Sequence, residues 1–298
     1  MHFKLESANY NYARYLRQCL ESALRQAFDR IIVVDDGSDD DSELIIREYA
    51  SKHGNIISII KSNGGQLSCF NSAGKYIEEG DLVFFLDADD VFPANYAAEI
   101  LQISASEKAD FYFCNAVEFT DEEDCPTEAR VSDEQPLVLP LTSSLTLARR
   151  CWIGSPTSAL VISGSLYQQI LPYPFERDWV VRADDVIVFA ASILGAKKVY
   201  IGSLGIGYRI HGDNLFRGND RWREKPEKLL REFRLDRLFR IYSEKAGVRN
   251  KPYYSEVARE LQLMNQDAKA HFRFPSPVKV FRRKLRGRVK LVFRGLFS

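Results

Sequence analysis

The stretch LVFFLDADD, residues 82–90, runs five apolar residues directly into Asp87, Asp89 and Asp90. An uninterrupted apolar run of this length is typical of a strand that is covered on both faces, as in a parallel sheet. In open α/β sheets, ligands bind at the carboxyl ends of the strands. The stretch therefore predicts a buried strand that places three carboxylates at the edge of a sheet where ligands bind.

Hydrophobic periodicity around this stretch alternates between helix and strand. Leu16, Leu20 and Leu24 recur at helical spacing, and the β-branched run that follows ends in Asp35 and Asp36. This βαβα order implies an α/β fold with a mainly parallel, Rossmann-like sheet and helices on both faces. The predicted segments are helix 13–28, strand 30–34, helix 42–53, strand 55–60, helix 64–79 and strand 82–86.

Length and composition place the chain among soluble globular proteins of one or two domains. It has 298 residues, of which 45% are hydrophobic and 28% charged. No apolar run reaches the ~18 residues that a membrane span requires, and the start lacks the order of a signal peptide, so we expect a cytoplasmic location. Five cysteines without a CxxC pair indicate reduced core residues rather than disulfides or zinc ligands.

Charge is distributed unevenly, although the formal net charge is zero. Residues 271–298 contain nine basic and no acidic residues, which leaves −9 on residues 1–270. Apolar residues recur every three or four positions between Val278 and Leu296, which predicts a basic amphipathic helix over 278–296. This helix lies either on an anionic membrane surface or on the acidic body of the protein itself. We expect no nucleic-acid partner, because the body offers neither a basic groove nor an aromatic stacking platform.

Two acidic clusters lie at strand ends of the predicted sheet. Asp87, Asp89 and Asp90 repel one another, so a hard cation such as Mg²⁺ or Mn²⁺, shared with substrate phosphates, would stabilise them. The alternative is that they cap the following helix or face water. Asp35 and Asp36 begin the run DDGS, which also makes an ordinary turn; together the clusters favour a cation or a hydroxyl-rich ligand between them. The chain has neither GxGxxG nor GxxxxGK[ST], so we expect neither a dinucleotide site of that kind nor a P-loop.

Five stretches of the sequence form a recognisable set: NYNYARYLRQCLESALRQ, IIVVDDGSDDDSELI, KSNGGQLSCFNSAG, DLVFFLDADDVFP and YRIHGDN. In this order and at this spacing they resemble the family 2 glycosyltransferases of the type A fold, over roughly residues 8–215. The resemblance implies a fold of GT-A type and transfer of a sugar from a nucleoside diphosphate sugar. It also implies that Mn²⁺ or Mg²⁺ is the cofactor and that UDP is the nucleotide.

The same resemblance implies roles for individual residues. Asp87-Ala88-Asp89 is the DxD motif, in which Asp89 binds the metal with His211 and Asp87, and Asp87 also approaches the ribose or the sugar. Asp36 contacts the nucleobase. The remaining donor contacts that it implies are Asn9, Asn11, Asp35, Gly64, Gly65, Asn71 and Arg209.

An acidic pair opens the apolar run in VRADDVIVFAASILG and resembles the site of the family's general base. Inversion requires a carboxylate that removes the proton of the acceptor hydroxyl while its oxygen attacks the anomeric carbon. Asp185 is the first candidate for this base and Asp184 the second. The alternative is that one of the two caps the helix, just as His211 is either a metal ligand or a structural histidine.

The start of the chain departs from the family pattern. MHFKLESANYN supplies only Phe3 and Leu5 as large apolar strand residues, and Ala8 stands where proline is usual. We therefore expect either a short, edge-like first strand or an atypical start.

From these patterns we predict a glycosyltransferase domain over 1–220, with a nucleotide-sugar half to about 118 and an acceptor half over 119–220. A helical extension over 221–274 and the basic tail 275–298 follow. The predicted function is metal-dependent, inverting transfer of a sugar to a glycan or lipid-linked acceptor in cell-envelope polysaccharide synthesis. The tail would attach the protein to the inner face of the plasma membrane. The alternative is a non-catalytic relative that binds nucleotide sugars as a scaffold.

Overall fold

Eight strands form one mixed sheet in residues 2–120, 122–212 and 225–274, the part of the chain that this computed structural model describes. Their order across the sheet is β3-β2-β1-β4-β7-β5-β8-β6, and all run parallel except β6 and β7. The mainly parallel sheet predicted from the βαβα pattern is confirmed. The strands are β1 (Phe3–Asn9), β2 (Arg30–Asp35), β3 (Ile56–Ile60), β4 (Leu82–Asp87), β5 (Phe111–Phe119), β6 (Leu137–Leu139), β7 (Leu160–Ser163) and β8 (Lys198–Arg209).

Helices cover both faces of the sheet, which explains the nearly continuous apolar strands. In β2, Ile31 and Val33 pack into a core on one face, and Ile32 and Val34 pack into a second core on the other. α1, α2 and α4 cover the first core, and α3 and α5 to α10 cover the second. The helices are α1 (Ala13–Leu24), α2 (Ser42–Lys52), α3 (Gln66–Ala73), α4 (Tyr96–Ser106), α5 (Ser143–Arg149), α6 (Gly164–Ile170), α7 (Ala183–Ile193), α8 (Lys225–Lys245), α9 (Tyr254–Leu263) and α10 (Gln266–His271).

The first strand is central, so the expectation of a short edge strand is wrong. β1 pairs with β2 on one side and with β4 on the other. Its two charged side chains find partners inside the protein: Lys4 Nζ lies 2.6 Å from Asp81 Oδ2, and Glu6 Oε2 lies 3.0 Å from Tyr167 Oη. A polar strand can therefore be buried here, because burial costs little when the polar groups are paired.

Glu6 belongs to a short buried hydrogen-bonded chain. Tyr167 Oη lies 2.5 Å from the carbonyl oxygen of Phe70 and has one proton to donate. Burial raises the pKa of Glu6 to about 8, so the carboxyl is protonated at neutral pH. The single proton of Tyr167 Oη is shared between Glu6 Oε2 and the carbonyl oxygen of Phe70.

This protonated glutamate makes stability depend on pH. In the unfolded chain Glu6 ionises near 4.5, whereas in the folded chain it keeps its proton up to about pH 8, so stability falls as pH rises between these values. Glu6→Gln keeps the shape of the side chain and an oxygen that accepts from Tyr167, and it does not titrate. We expect the variant to match the wild type near pH 5 and to exceed it near pH 8 on the order of a few kcal/mol, since one pKa unit corresponds to about 1.4 kcal/mol. Urea unfolding across this range measures the difference, and parallel stability curves would contradict the assignment.

The predicted helical spacing at the C-terminus is confirmed. Val257, Leu261, Met264 and Ala268 are buried, in or beside α9 and α10. The domain boundaries proposed above remain predictions, and the tail 275–298 lies outside the described residues. Among the described residues, no helix combines the length and the apolarity needed to span a bilayer.

Candidate functional site

The loop after β2 closes one side of the carboxyl edge of the sheet. Asp35 accepts hydrogen bonds from the Asn9 amide at 2.7 Å and from the Ser38 hydroxyl at 2.6 Å. Asn11 has a left-handed backbone, with φ at 59°, and its side chain accepts from the backbone N–H of Asp39 at 2.9 Å. Asn9, Asn11 and Asp35 thus brace the DDGS loop, and direct contact of these residues with a nucleotide remains a prediction.

Asp36 anchors the loop after β3. Its carboxylate lies 2.6 Å from Lys61 Nζ and accepts from the backbone N–H groups of Gly64 at 2.9 Å and Gly65 at 2.6 Å. Gly65 has φ at 88°, and a Cβ there would lie 2.3 Å from Val180 Cα, so glycine is required. Lys61 was not among the predicted site residues, although its place directly after a predicted strand was a usable signal.

Gln66, at the start of α3, joins the first carboxylate of the DxD motif to α7. Its Nε2 donates to Asp87 Oδ1 at 2.9 Å, and its Oε1 accepts from the backbone N–H of Ala183 at 3.0 Å. Burial, followed by the charges of Asp89 and Asp184, raises the pKa of Asp87 to about 8. The carboxylates of Asp87, Asp89 and Asp184 are therefore close enough to affect one another electrostatically. Gln66 could not be singled out in the sequence, because its role depends on contacts with two distant segments.

The three acids of DADD have different surroundings. Asp89 Oδ2 lies 2.9 Å from His211 Nε2, so two groups that can ligate a metal meet there. Asp90 accepts from Ser158 Oγ at 2.6 Å and from the backbone N–H of Arg209 at 2.9 Å, and it is buried. It neither caps the next helix nor faces water. Ala88 is also buried and packs into the core.

Arg209 fixes the backbone of the motif from the opposite side. Its guanidinium lies between the rings of Tyr15 and Phe119, 4.8 and 4.4 Å from their centres, and donates to the carbonyl oxygen of Asp89 at 2.8 Å. Beside it and His211 is a cavity of about 730 Å³, whose lining also includes three arginines of α1 and the loop that follows it. This basic cavity favours an anionic ligand, whereas direct contact of Arg209 with phosphate remains a prediction.

The two candidates for the general base differ in exposure. Asp185 is fully buried, and its carboxylate contacts Arg231 of α8 at 2.9 Å and Arg182 at 3.1 Å. Asp184 is partly exposed. Burial and the charge of Asp185 raise the pKa of Asp184 to about 7, although Arg182 and Arg231 lower it. The structure thus favours Asp184 as the group that can exchange a proton near neutral pH.

Removal of Arg231 should destabilise the fold. In Arg231→Met, Asp185 would be left in the core with Arg182 as its remaining cationic partner, and breaking a buried ion pair costs about 3 kcal/mol. Urea unfolding would measure this loss. The matched control is Arg240→Met, at an exposed position of the same helix, which we expect to change stability by less than about 0.5 kcal/mol. Equal effects of the two substitutions would contradict the role given to Arg231.

Asn71 is the predicted donor contact that the structure does not bring to this edge. Its amide donates to the carbonyl oxygen of Tyr173 at 3.0 Å and to Glu176 Oε2 at 2.9 Å, and it accepts from the backbone N–H of Tyr173. These contacts fasten α3 to the segment before α7. The geometry therefore gives Asn71 a structural part, and it is left out of the site proposed below.

The side chains at the carboxyl edge of the sheet include groups that can ligate a divalent cation. Carboxylate oxygens from Asp87 and Asp89 and the imidazole of His211 are ligand types that Mn²⁺ and Mg²⁺ accept. Among the described residues, no group of three or more His, Cys, Asp or Glu side chains is arranged to hold a metal ion. Mg²⁺ usually binds proteins through one or two carboxylates together with substrate phosphates.

Solved structures share this fold at low sequence identity. TarS of S. aureus in complex with UDP-GlcNAc matches with a TM-score of 0.62 and 18% identity, over 88% of this chain and 72% of that one. The mannosyltransferase PcManGT from Pyrobaculum calidifontis, in complex with GDP-Man and Mn²⁺, matches with a TM-score of 0.52 and 17% identity, over 80% and 63%. At these identities the likeness supports the fold alone, which is the predicted GT-A type.

Sequence comparisons place the chain in a family. It is 30% identical to an uncharacterized glycosyltransferase of Nostoc sp., over 70% of this chain and 64% of that protein. The putative glycosyltransferase EpsH of Bacillus subtilis is 37% identical, with 38% of this chain and 33% of its own length matched. Succinoglycan biosynthesis protein ExoW of Rhizobium meliloti is 26% identical, over 82% and 78%. The model of glycosyl transferase family 2 matches residues 8–163, more than half of the chain, and the protein therefore belongs to glycosyl transferase family 2.

Proposed function

We propose that this protein is a metal-dependent, inverting glycosyltransferase that uses a nucleoside diphosphate sugar. The observation that carries the proposal is that five side chains lie around the carboxyl edge of one mainly parallel sheet: Asp36, Asp87, Asp89, His211 and Asp184. Ligands of such sheets bind at this edge. The named partners of similar proteins agree with this, since TarS is described with UDP-GlcNAc and PcManGT with GDP-Man.

The donor nucleotide would lie between the loops after β2 and β3. Asp36 already contacts Lys61 and the backbone N–H groups of Gly64 and Gly65. The Asp36 carboxylate and the loop after β3 are therefore held in place before a ligand binds. A preorganised site loses less conformational entropy on binding. UDP is our first choice of nucleotide, on the family resemblance and the TarS complex with UDP.

The metal would be held by Asp89 and His211, with Asp87 next to them. When bound, a divalent ion would neutralise charge on the diphosphate leaving group. Arg209 holds the Asp89 backbone, and Gln66 orients Asp87. Arg209 and Gln66 thus keep the carboxylates of Asp87 and Asp89 in position, although these two groups repel each other.

Asp184 would be the general base, in place of Asp185. A base must reach the acceptor hydroxyl, and its proton affinity is best matched when its pKa lies near the working pH. Two observations support Asp184 in this role: its side chain is partly exposed, and its partial burial beside Asp185 raises its pKa to about 7. Asp185 is enclosed by Arg231 and Arg182, so its part would be to set the charge around Asp184.

The acceptor would be a glycan or a lipid-linked glycan of the cell envelope. Relatives support this context by name, since ExoW is a succinoglycan biosynthesis protein and GgaB of Bacillus subtilis a minor teichoic acid biosynthesis protein. A cytoplasmic location and attachment to anionic lipid through 278–296 belong to the same proposal. Removal of 275–298 should then weaken binding to anionic vesicles and leave donor binding intact.

A donor panel tests the proposed activity. The purified chain would be given UDP-, GDP- and dTDP-sugars with Mn²⁺ and a mixture of envelope glycan acceptors, and the release of nucleoside diphosphate would be followed. We expect one donor class to be consumed only when an acceptor is present. Nucleotide-sugar binding without turnover on every donor would instead favour the non-catalytic scaffold.

A further inference from the structure

The outward face of α8 exposes large apolar side chains in its first turns. Leu229 and Phe233, one turn apart, are 62% and 60% exposed, and Leu230 is 43% exposed. Phe175 is 41% exposed, and the guanidinium of Arg237 lies 4.4 Å from its ring centre and 5.3 Å from that of Phe233. We call Leu229, Leu230, Phe233 and Phe175 the α8 ridge. Large exposed apolar side chains that cluster in this way mark an interaction site.

Basic residues surround the α8 ridge. From Lys228 to Arg240 the helix contains five basic and two acidic residues. Arg231 and Arg237 pair with Asp185 and Asp178 of the body, so the excess positive charge comes from Lys228, Arg234 and Arg240. Both acids, Glu232 and Asp236, contact Arg150 on the body of the protein. The ridge is thus a locally positive, apolar strip on a body whose residues 1–270 sum to −9.

We propose that the α8 ridge is a contact surface for an anionic phospholipid bilayer. Leu and Phe side chains partition into the boundary between headgroups and acyl chains, while nearby Lys and Arg side chains face lipid phosphates. Charge argues against the protein's own tail as the occupant, because residues 271–298 hold nine basic residues and would be repelled by a basic helix. The ridge is therefore a second lipid contact, separate from the tail.

The position of the ridge connects it to the acidic pair that includes the proposed base. Arg231 lies on the same helix and points inward to Asp185, the neighbour of the proposed base Asp184. A bilayer on the α8 ridge would hold the membrane beside this pair, so that a lipid-linked acceptor could arrive directly from the lipid surface. This route for the acceptor rests on the proposed function, whereas the lipid contact itself does not.

Vesicle sedimentation with the full chain tests the contact. The vesicles contain equal parts of phosphatidylglycerol and phosphatidylcholine, and the test variant is Leu229→Ser/Phe233→Ser. We expect it to bind these vesicles at least about tenfold more weakly than the wild type, because two apolar anchors are lost. The matched control is Leu44→Ser on α2, where the leucine is 68% exposed, and it should bind as the wild type does. Unfolding midpoints and calorimetric UDP titrations, run alongside, separate failure of the lipid contact from failure of the fold or the donor site.

Four results would overturn the lipid assignment. Vesicle binding of the double variant within twofold of the wild type would leave the tail as the lipid contact. Tighter binding by the double variant would indicate that the ridge normally covers the tail. A concentration-dependent dimer that the double variant abolishes would assign the ridge to a second copy of the chain. An equal loss in Leu44→Ser would make the effect one of general surface apolarity.

Discussion

The Asp184→Asn variant is expected to transfer sugar about 10²- to 10⁴-fold more slowly than the wild-type protein, while its affinity for the donor changes little. Asparagine keeps the shape of the side chain but cannot take the proton of the acceptor hydroxyl. Steady-state rates at saturating donor and acceptor measure the effect on transfer, and a separate titration measures the affinity for the donor. The loss should therefore fall on kcat rather than on the dissociation constant of the nucleotide.

The same residue should set the acid limb of the pH profile. Since burial and Asp185 raise the pKa of Asp184 to about 7, kcat should fall as pH drops through this value, because the protonated carboxyl is no longer a base. Arg231 lowers this pKa, so Arg231→Met should move the midpoint to higher pH. A variant with Asp184→Asn that keeps the wild-type rate and profile, while a folded Asp185→Asn loses activity, would assign the base to Asp185 instead.

The second large effect is expected at the DxD motif, where Asp89 and Asp90 should behave in opposite ways. Asp89→Asn removes a carboxylate that faces His211, and we expect Mn²⁺-dependent UDP binding to weaken at least about 100-fold, as the loss of several kcal/mol of charge neutralisation implies. Electron paramagnetic resonance of free Mn²⁺, titrated with protein and UDP, measures the bound fraction.

Asp90→Asn is the matched control, one residue further on. Asp90 bonds to Ser158 and to the backbone of Arg209, so its replacement should cost about 1–2 kcal/mol of unfolding free energy and leave the response to Mn²⁺ intact. Equal loss of Mn²⁺ binding in both variants would mean that the motif only supports the fold.

The sequence predicted those parts of the structure that depend on local pattern. The apolar runs before Asp35 and Asp87 are buried strands, and both end at the same edge of the sheet, as the βαβα order requires. The central position of β1 was not predicted, because it depends on remote partners of Lys4 and Glu6. A single strand's composition does not reveal such partners.

In the site, too, local motifs predicted some residues, whereas residues whose roles depend on distant contacts were not predicted. Asp89 and His211 were paired from motif resemblance, and the structure brings them within 2.9 Å. The sequence ranked Asp185 above Asp184 as the base, and the contact that argues for the reverse order comes from Arg231, which lies 46 residues beyond Asp185. Gln66 was not predicted either, because its two contacts come from β4 and from the start of α7.

Calorimetric titration of UDP into the wild-type protein, with and without Mn²⁺, tests the central claim most directly. The proposed site predicts binding of one UDP per chain that strengthens when Mn²⁺ is added. GDP and dTDP serve as comparison nucleotides, and preference for either would change the donor while keeping the site. Failure of all three nucleotides to bind under any metal condition would contradict the assignment of the donor site.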